Sequence, residues 1–444
     1  MKIFAGIFVI CGALWTAPAQ NNSPADAATN AVVISTDYIN GLIAEGRTNN
    51  PSLKAADSRL RSATLNAEAV RSWEDPTAMV GGSTFSSRGF DPAQEGDLAY
   101  GIEQKLPLWG RPRLTRRAAQ AETSMRQAEL NYHVQQLRRD ISKELLATAL
   151  AERIVDIGEQ DLAWLEATVK AVEAKYRDGQ AALADTLQIE NELAERNDRL
   201  RTDRHLLAHE YFNLNRLLNR AVDSSWPPLQ LPPAAPAIPF SAKLLSLALA
   251  NEPKLKVMEQ EIKQAEAAAE LTRRTRLPDV SFDVEGRQYS GDGGFREGDF
   301  TLRFSLPWFN GDKYRKDYDR DKEKQNSSEQ EREDQVWMVR EELHHLSVEI
   351  EASRREALLY SGEITMRAEQ ALTSRLSDWE TGHGTFRDVL DARRMLLDSE
   401  LMSARAVAEE NEMFAELLLW SGLENVEALV PLASEPSLLP NHEH

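Results

Sequence analysis

Two histidines, His205 and His209, stand four residues apart in a stretch free of proline and glycine. On a helix that spacing puts both imidazoles on one face, where they could hold a divalent metal. No H-E-x-x-H surrounds them and no third ligand is evident, so an exposed pair is the plainer reading. His344 and His345 are adjacent and diverge around a helix, which makes a poor chelate. The terminal His442-Glu443-His444 is short, and Glu341-Glu342 fits a charged helix face better than acid/base chemistry. Asp388 and Asp391 lie three apart and share a helix face. A solvated surface is the ordinary fate of such aspartates. No nucleophile elbow and no phosphate loop is present. The expectation is a protein that is not an enzyme and has no cofactor and no metal site.

The only cysteine, Cys11, falls in the apolar run Ile3 to Trp15, which follows Lys2 and precedes Thr16-Ala17-Pro18-Ala19-Gln20. A short basic start, an apolar stretch and an A-x-A site mark a secretory signal over 1–19. The mature chain would then have no cysteine, which excludes disulfides, thiolate metal sites and cysteine catalysis. Ile10 precedes Cys11 where a small residue would be needed for lipidation, so lipidation is rejected. The net charge of −19 disfavours a nucleic-acid partner.

Stepping out to the surrounding elements, nearly the same message occurs twice, about 202 residues apart. Asn50-Pro51-Ser52-Leu53-Lys54 returns as Glu252-Pro253-Lys254-Leu255-Lys256. Lys105-Leu106-Pro107-Leu108-Trp109 returns as Ser305-Leu306-Pro307-Trp308-Phe309. Gly179, Asp185 and Leu187 return as Gly382, Asp388 and Leu390. Each copy has the order helix, strand pair, very long helix, tight turn, long helix. The first copy covers 20–225 and the second 241–423. A proline-rich linker, 226–240, joins them, and an irregular tail runs over 424–444.

Period-two alternation predicts strands over about 279–289 and 298–306, and more weakly over about 78–87 and 97–106. Ser290 to Gly298 reads as a loop. Tyr100, Trp109, Trp308 and Phe309 are placed at or near strand ends. Beyond each strand pair the chain lacks proline for over a hundred residues. Long helical hairpins are expected over about 112–219 and 312–420, the first arm roughly 98 Å long at 1.5 Å per residue. Leu193, Leu200, Leu207 and Leu214 form a seven-residue seam in the first return helix. Leu390, Leu397, Ala404, Asn411 and Leu418 form its counterpart.

The strands have membrane-spanning length for a tilted barrel. Four strands cannot close, and open edges cannot face lipid, so several chains would have to share one barrel. Phe282, Val284, Phe300, Leu302 and Phe304 would face lipid. Asp283, Glu285, Arg287 and Arg303 would face the lumen. An ordinary sheet packed on coiled helices is the competing reading.

The chain resembles the TolC-type outer-membrane factors, exit ducts of tripartite efflux pumps and type I secretion systems. The resemblance rests on the N/E-P-x-L-K starts and the L-P-L-W-G-R and L-P-W-F-N-G junctions. It also rests on the tips Y-R-D-G-Q-A-A-L-A-D-T-L-Q and W-E-T-G-H-G-T-F-R-D-V-L-D-A. It implies a mainly α chain with a membrane β-barrel: a homotrimer with a twelve-stranded outer-membrane barrel continued by a twelve-helix periplasmic tunnel. It implies outer-membrane lipid, a periplasmic adaptor and an inner-membrane transporter of the RND type as partners. By the same resemblance Asp185, Asp388 and Asp391 ring the periplasmic gate. Tyr176, Gly179, Leu187, Gly382 and Leu390 belong to tips that dock the adaptor. The compact length is similar to the heavy-metal branch, so metal cations or small toxic compounds are the expected cargo. Gly384 and Thr385 depart from the family's pattern and are expected to lengthen or alter the second tip. Protein secretion and a periplasmic coiled-coil scaffold remain the alternatives.

Overall fold

The computed structural model describes residues 31–83, 97–289 and 294–438. The signal segment 1–19 with Cys11, positions 84–87 of the first predicted strand, and His442 and His444 lie outside the described residues.

The first copy opens with β1 (Val32–Val33), α1 (Thr36–Asn49) and α2 (Pro51–Ala69). Asn50 separates the two helices. Its side-chain oxygen accepts from the backbone N–H of Ser52 at 2.8 Å and Leu53 at 3.2 Å, and Pro51 takes the first helical position. An N-cap followed by proline starts a helix because those N–H groups have no partner inside it. Glu252 does the same for α6 (Pro253–Thr275), accepting from Lys254 and Leu255. The repeated N/E-P-x-L-K motif is therefore a helix-start signal. Helix α2 ends at Ala69, before the exposed run that leads to β2.

Strands β2 (Thr77–Ser83), β3 (Asp97–Lys105), β5 (Val280–Tyr289) and β6 (Phe295–Phe304) form one antiparallel sheet in the order β2-β3-β5-β6. Strand β6 begins three residues before the expected 298 and stops two short of 306. A register shift between Arg287 and Gln288 lets Phe295 pair with Gln288, so part of the expected loop is strand. Tyr100 lies mid-strand rather than near an end, with its ring over Gly286.

Helix α3 (Arg111–Arg177) runs 67 residues and returns as α4 (Leu183–Leu218). After β4 (Leu229–Gln230) and α5 (Ala242–Asn251), the second copy has α7 (Gly311–Leu359), α8 (Thr365–Glu380) and α9 (Phe386–Ser421). A π-turn over Tyr360–Ile364 interrupts the arm that the sequence suggested was continuous. Gly362 sits inside it; glycine is a poor helix former and leaves the i→i−4 ladder easier to disturb.

Each copy has its own core, and several positions of the two cores correspond. Leu42, Leu53, Leu137, Ile141 and Leu214 bury together in the first. Leu244, Leu255, Val339, Leu343 and Leu417 do so in the second. Burying one such side chain contributes about 1.5–3 kcal/mol, enough to make these positions keep their spacing. The linker is not a free crossing, because β4 pairs in parallel with β1. The tail is less irregular than expected: two 3₁₀ turns at Val426–Ala428 and Val430–Ser434 bury Leu429 and Leu432 in the second core.

Candidate functional site

Two places gather the residues singled out above: the sheet at one end of the helices and the hairpin tips at the other.

In the sheet, directly paired residues share a face. Ile102 opposes Val284, which opposes Phe300; Phe282 opposes Leu302; Val280 opposes Phe304. Val284, Phe300, Leu302 and Phe304 are exposed, Phe300 at 71%, and Phe282 is half-buried with its ring 6.3 Å from that of Phe300. Val80, Leu98, Tyr100 and Ile102 extend this exposed apolar face onto β2 and β3. The opposite face is ionic. Arg303 donates to Asp283 at 3.1 Å and Glu103 at 3.3 Å, Ser281 donates to Glu103 at 2.6 Å, and Arg287 donates to Glu285 at 3.0 Å. Glu103 was not among the residues singled out, although its place in the alternation of β3 was a sufficient signal. Asp283 is nearly fully buried beneath Arg303.

A sheet that exposes apolar side chains on one face and an ion-paired network on the other has no hydrophobic core of its own. Among the described residues nothing pairs with the far edges of its outer strands β2 and β6. No helix among the described residues is long and apolar enough to cross a membrane.

At the first tip, Gly179 has φ +73° and its N–H meets the Tyr176 carbonyl at 3.0 Å. At the second, Gly382 has φ +77° and its N–H meets the Trp379 carbonyl at 3.2 Å. Positive φ ends a helix without penalty only at glycine. Five residues join the arms at each tip, 178–182 and 381–385, so the second is not longer. What differs is the cap. Thr385 accepts from the Asp388 N–H at 3.3 Å, and its hydroxyl donates to the Asp388 carboxylate at 2.8 Å. Asp185 accepts from the Ala182 N–H at 3.2 Å, but alanine has no oxygen with which to answer. Asp185 and Asp388 are thus the third residues of their helices and complete the caps. The Thr385 hydrogen bond holds the Asp388 carboxyl below the usual carboxylate range. Asp391 is exposed and near Arg394 at 3.5 Å and Arg387 at 3.8 Å.

Tyr176 and Leu187 are exposed, but Leu390 is not. It is buried with Leu165, Val172, Ile189, Phe386 and Val389, where the two hairpins pack together, so it presents no docking surface in this conformation. Below this cluster is a junction that the sequence did not reveal. Asp161 on α3 is 2% exposed and lies 2.7 Å from both Arg196 on α4 and Arg393 on α9. Residues 35 and 232 positions apart carry no local signal of meeting.

The histidines are scattered. His205 and His209 are exposed, His344 packs edge-on against Phe240, and His345 is 3.9 Å from Glu349. No group of three or more His, Cys, Asp or Glu among the described residues could hold a metal.

A family model described as outer membrane efflux protein matches residues 42–220 and 244–417. The chain belongs to the outer membrane efflux protein family. This efflux-family chain is similar in fold to the outer-membrane channel OprN, with a TM-score of 0.76 at 17% identity over 93% of this chain and 98% of the other. It is similar to the outer membrane protein VceC from Vibrio cholerae, with a TM-score of 0.73 at 19% identity over 87% and 96%. It is also similar to the Campylobacter jejuni CmeC outer membrane channel, with a TM-score of 0.75 at 12% identity over 98% of both chains. A comparison with curated protein sequences found no match. The fold is that of the TolC-type channels, and the protein is an outer-membrane efflux channel extending into the periplasm, not an enzyme.

Proposed function

We propose that three copies of this chain form a passive exit duct of a tripartite efflux system. The observation that carries this reading is the four-stranded sheet with an exposed apolar face, an ion-paired opposite face and two open edges. Unpaired backbone groups in lipid cost several kcal/mol each, so the edges must be closed by other copies. Three copies give twelve strands. Phe282, Val284, Phe300, Leu302 and Phe304 then face lipid, and Asp283, Glu285, Arg287 and Arg303 face the lumen. The helices continue the wall into the periplasm. There the tips, with Tyr176, Gly179, Leu187 and Gly382, meet a periplasmic adaptor that couples the duct to an inner-membrane transporter of the RND type. Cargo is metal cations or small toxic compounds, and energy comes from the pump.

Asp185, Asp388 and Asp391 surround the periplasmic mouth in this reading. Carboxylates repeated by a trimer repel one another and attract cations, so the mouth is cation-selective and sensitive to divalent ions. Asp388 has a second duty as a cap, and Asp391, free of that duty, is the cleaner gate residue. The test is conductance of the mature protein in planar bilayers. The expected result is a small cation-selective channel whose conductance rises several-fold in Asp391→Ala. A folded, membrane-extracted protein that conducts nothing would instead favour a coiled-coil scaffold.

A further inference from the structure

Around the place where helices meet the sheet, the charge of this acidic protein reverses. Residues 71–75, 105–117, 270–279 and 311–316 carry twelve Lys and Arg against five Asp and Glu, in a chain of net charge −19. These four segments are the two helix ends that lead into the sheet and the two helix starts that leave it, so they share one level.

Each segment contributes exposed arginine, among them Arg71 after α2, Arg113 in α3, Arg276 after α6 and Arg315 in α7. None of the four has a carboxylate partner among the described residues. Arg113 and Arg315 are equivalent in the two copies, 202 residues apart. Helix electrostatics does not explain that pair. A helix start carries positive partial charge and favours carboxylates; the first turn of α3 holds none, and Asp312 in the first turn of α7 is paired with Lys316 at 3.1 Å rather than with Arg315. Cations kept where the helix disfavours them point to an anion outside the protein.

Large aromatic groups accompany them. Trp73, Trp109, Trp308 and Phe309 are all exposed at this level, Phe309 at 79%. A cavity of about 450 Å³ opens here, lined by Trp73, Leu108 and Trp109 with Arg71, Lys105 and Arg111. Lys105 is bonded to Glu74 at 2.9 Å and Arg111 is paired with Asp279, which leaves Arg71, on a wall that also holds Asp75, as the lining cation with no carboxylate partner among the described residues. Apolar walls, amphipathic rings and unpaired guanidinium groups at one level suit a lipid whose headgroup is anionic.

We propose that this arginine and tryptophan belt binds anionic phospholipid headgroups in the periplasmic leaflet of the outer membrane. The proposal rests on the membrane-inserted reading of the sheet. In a trimer the four arginines become a ring of twelve, set just beneath the apolar band.

The test is tryptophan quenching with the mature full-length protein reconstituted in phosphatidylcholine vesicles. Brominated phosphatidylglycerol is compared with brominated phosphatidylcholine. Each surface cation adds roughly 1 kcal/mol of attraction to an anionic bilayer, so phosphatidylglycerol should be preferred about fivefold at low salt. The preference should fade between about 50 mM and about 500 mM NaCl, as the screening length shortens. Changing Arg71, Arg113, Arg276 and Arg315 together to Gln should abolish it, and changing all four to Lys should preserve it. Lys170→Gln with Arg201→Gln, on helices away from the belt, should also preserve it. Equal quenching of the unaltered protein by the two lipids, or a preference that survives the fourfold Gln variant, would overturn the proposal while leaving the barrel intact. Quenching by neither lipid would instead remove the membrane reading itself.

Discussion

In the first hairpin α3 runs 67 residues unbroken, and its tip is closed by Ala182, which caps nothing with its side chain. In the second, a π-turn divides the arm at Tyr360–Ile364, and Thr385 and Asp388 close the tip with reciprocal hydrogen bonds. One hairpin has a continuous shaft and a weak cap; the other has an interrupted shaft and a firm cap. The two copies share core positions at Leu42/Leu244, Leu53/Leu255 and Leu137/Val339, and they differ at the shaft and at the tip. A turn of π-helix is a known place for bending, because one residue too many must be accommodated in the ladder. The difference makes the second hairpin the candidate moving part and the first its support.

Asp161 ties α3 and α4 to α9 at one buried point, and removing it should have the largest effect. Asp161→Ala leaves Arg196 and Arg393 facing each other without a counterion, and breaking such buried pairs costs about 3–5 kcal/mol. Denaturant unfolding should show that loss. Glu192→Ala, which frees the half-exposed Arg394, should cost less than about 1 kcal/mol. Comparable losses from both would mean that Asp161 is not the main link.

The tips come next. Gly179→Ala and Gly382→Ala each force a Cβ into the left-handed region and should cost about 1–2 kcal/mol. Nothing lies within 4 Å of either added carbon, so backbone strain alone is at issue and the two costs should match. Unequal costs would show that the turns are not equivalent.

Caps should separate the hairpins by a smaller amount. Thr385→Ala should destabilise by about 1 kcal/mol, and Ala182→Ser should stabilise by about 0.5–1 kcal/mol. If Ala182→Ser gains nothing, the first tip already satisfies its N–H groups by other means.

Gly362→Ala tests the hinge. Its added carbon meets nothing within 4 Å, so helix propensity should raise stability by about 0.5–1 kcal/mol. Single-channel records should then show fewer transitions to the open state, and unchanged gating would remove the hinge idea.

The pH dependence should be the mildest difference. Burial pushes the Glu144 carboxyl up to about 7, helped by Glu210, and pushes Glu410 up to about 7 against the pull of Arg354. Both pKa values are raised on folding, so the folded state holds protons that the unfolded state releases above about 4.3. Their stabilising contribution is present below that pH and is lost as pH rises through about 7. Melting temperature should therefore be higher at acidic than at alkaline pH, and Glu410→Gln should flatten the slope more than Glu210→Gln does. A slope of the opposite sign would show that these carboxylates are ionised in the fold.

The duplicated order of elements, the two-faced strands and the positions of the tips were legible along the chain before any packing was known. Those features repeat along the chain: caps lie within four residues of the groups they serve, strand faces alternate every two residues, and a glycine with positive φ marks each hairpin tip. The sequence also carried the family resemblance, through short motifs whose order is preserved. Tertiary structure alone decided which residues the packing would claim. Leu390 looked like the twin of Leu187, yet it is buried because the second hairpin turns that side toward α3 and α4. Asp185 and Asp388 read as free carboxylates and are caps, since the turn brings each against the backbone three residues before it. Asp161, Arg196 and Arg393 meet only when three helices assemble, and the level of unpaired arginines exists only once four distant segments end on one sheet. Local hydrogen bonding and side-chain period are written in neighbouring residues, whereas burial and charge balance depend on what the rest of the chain brings close.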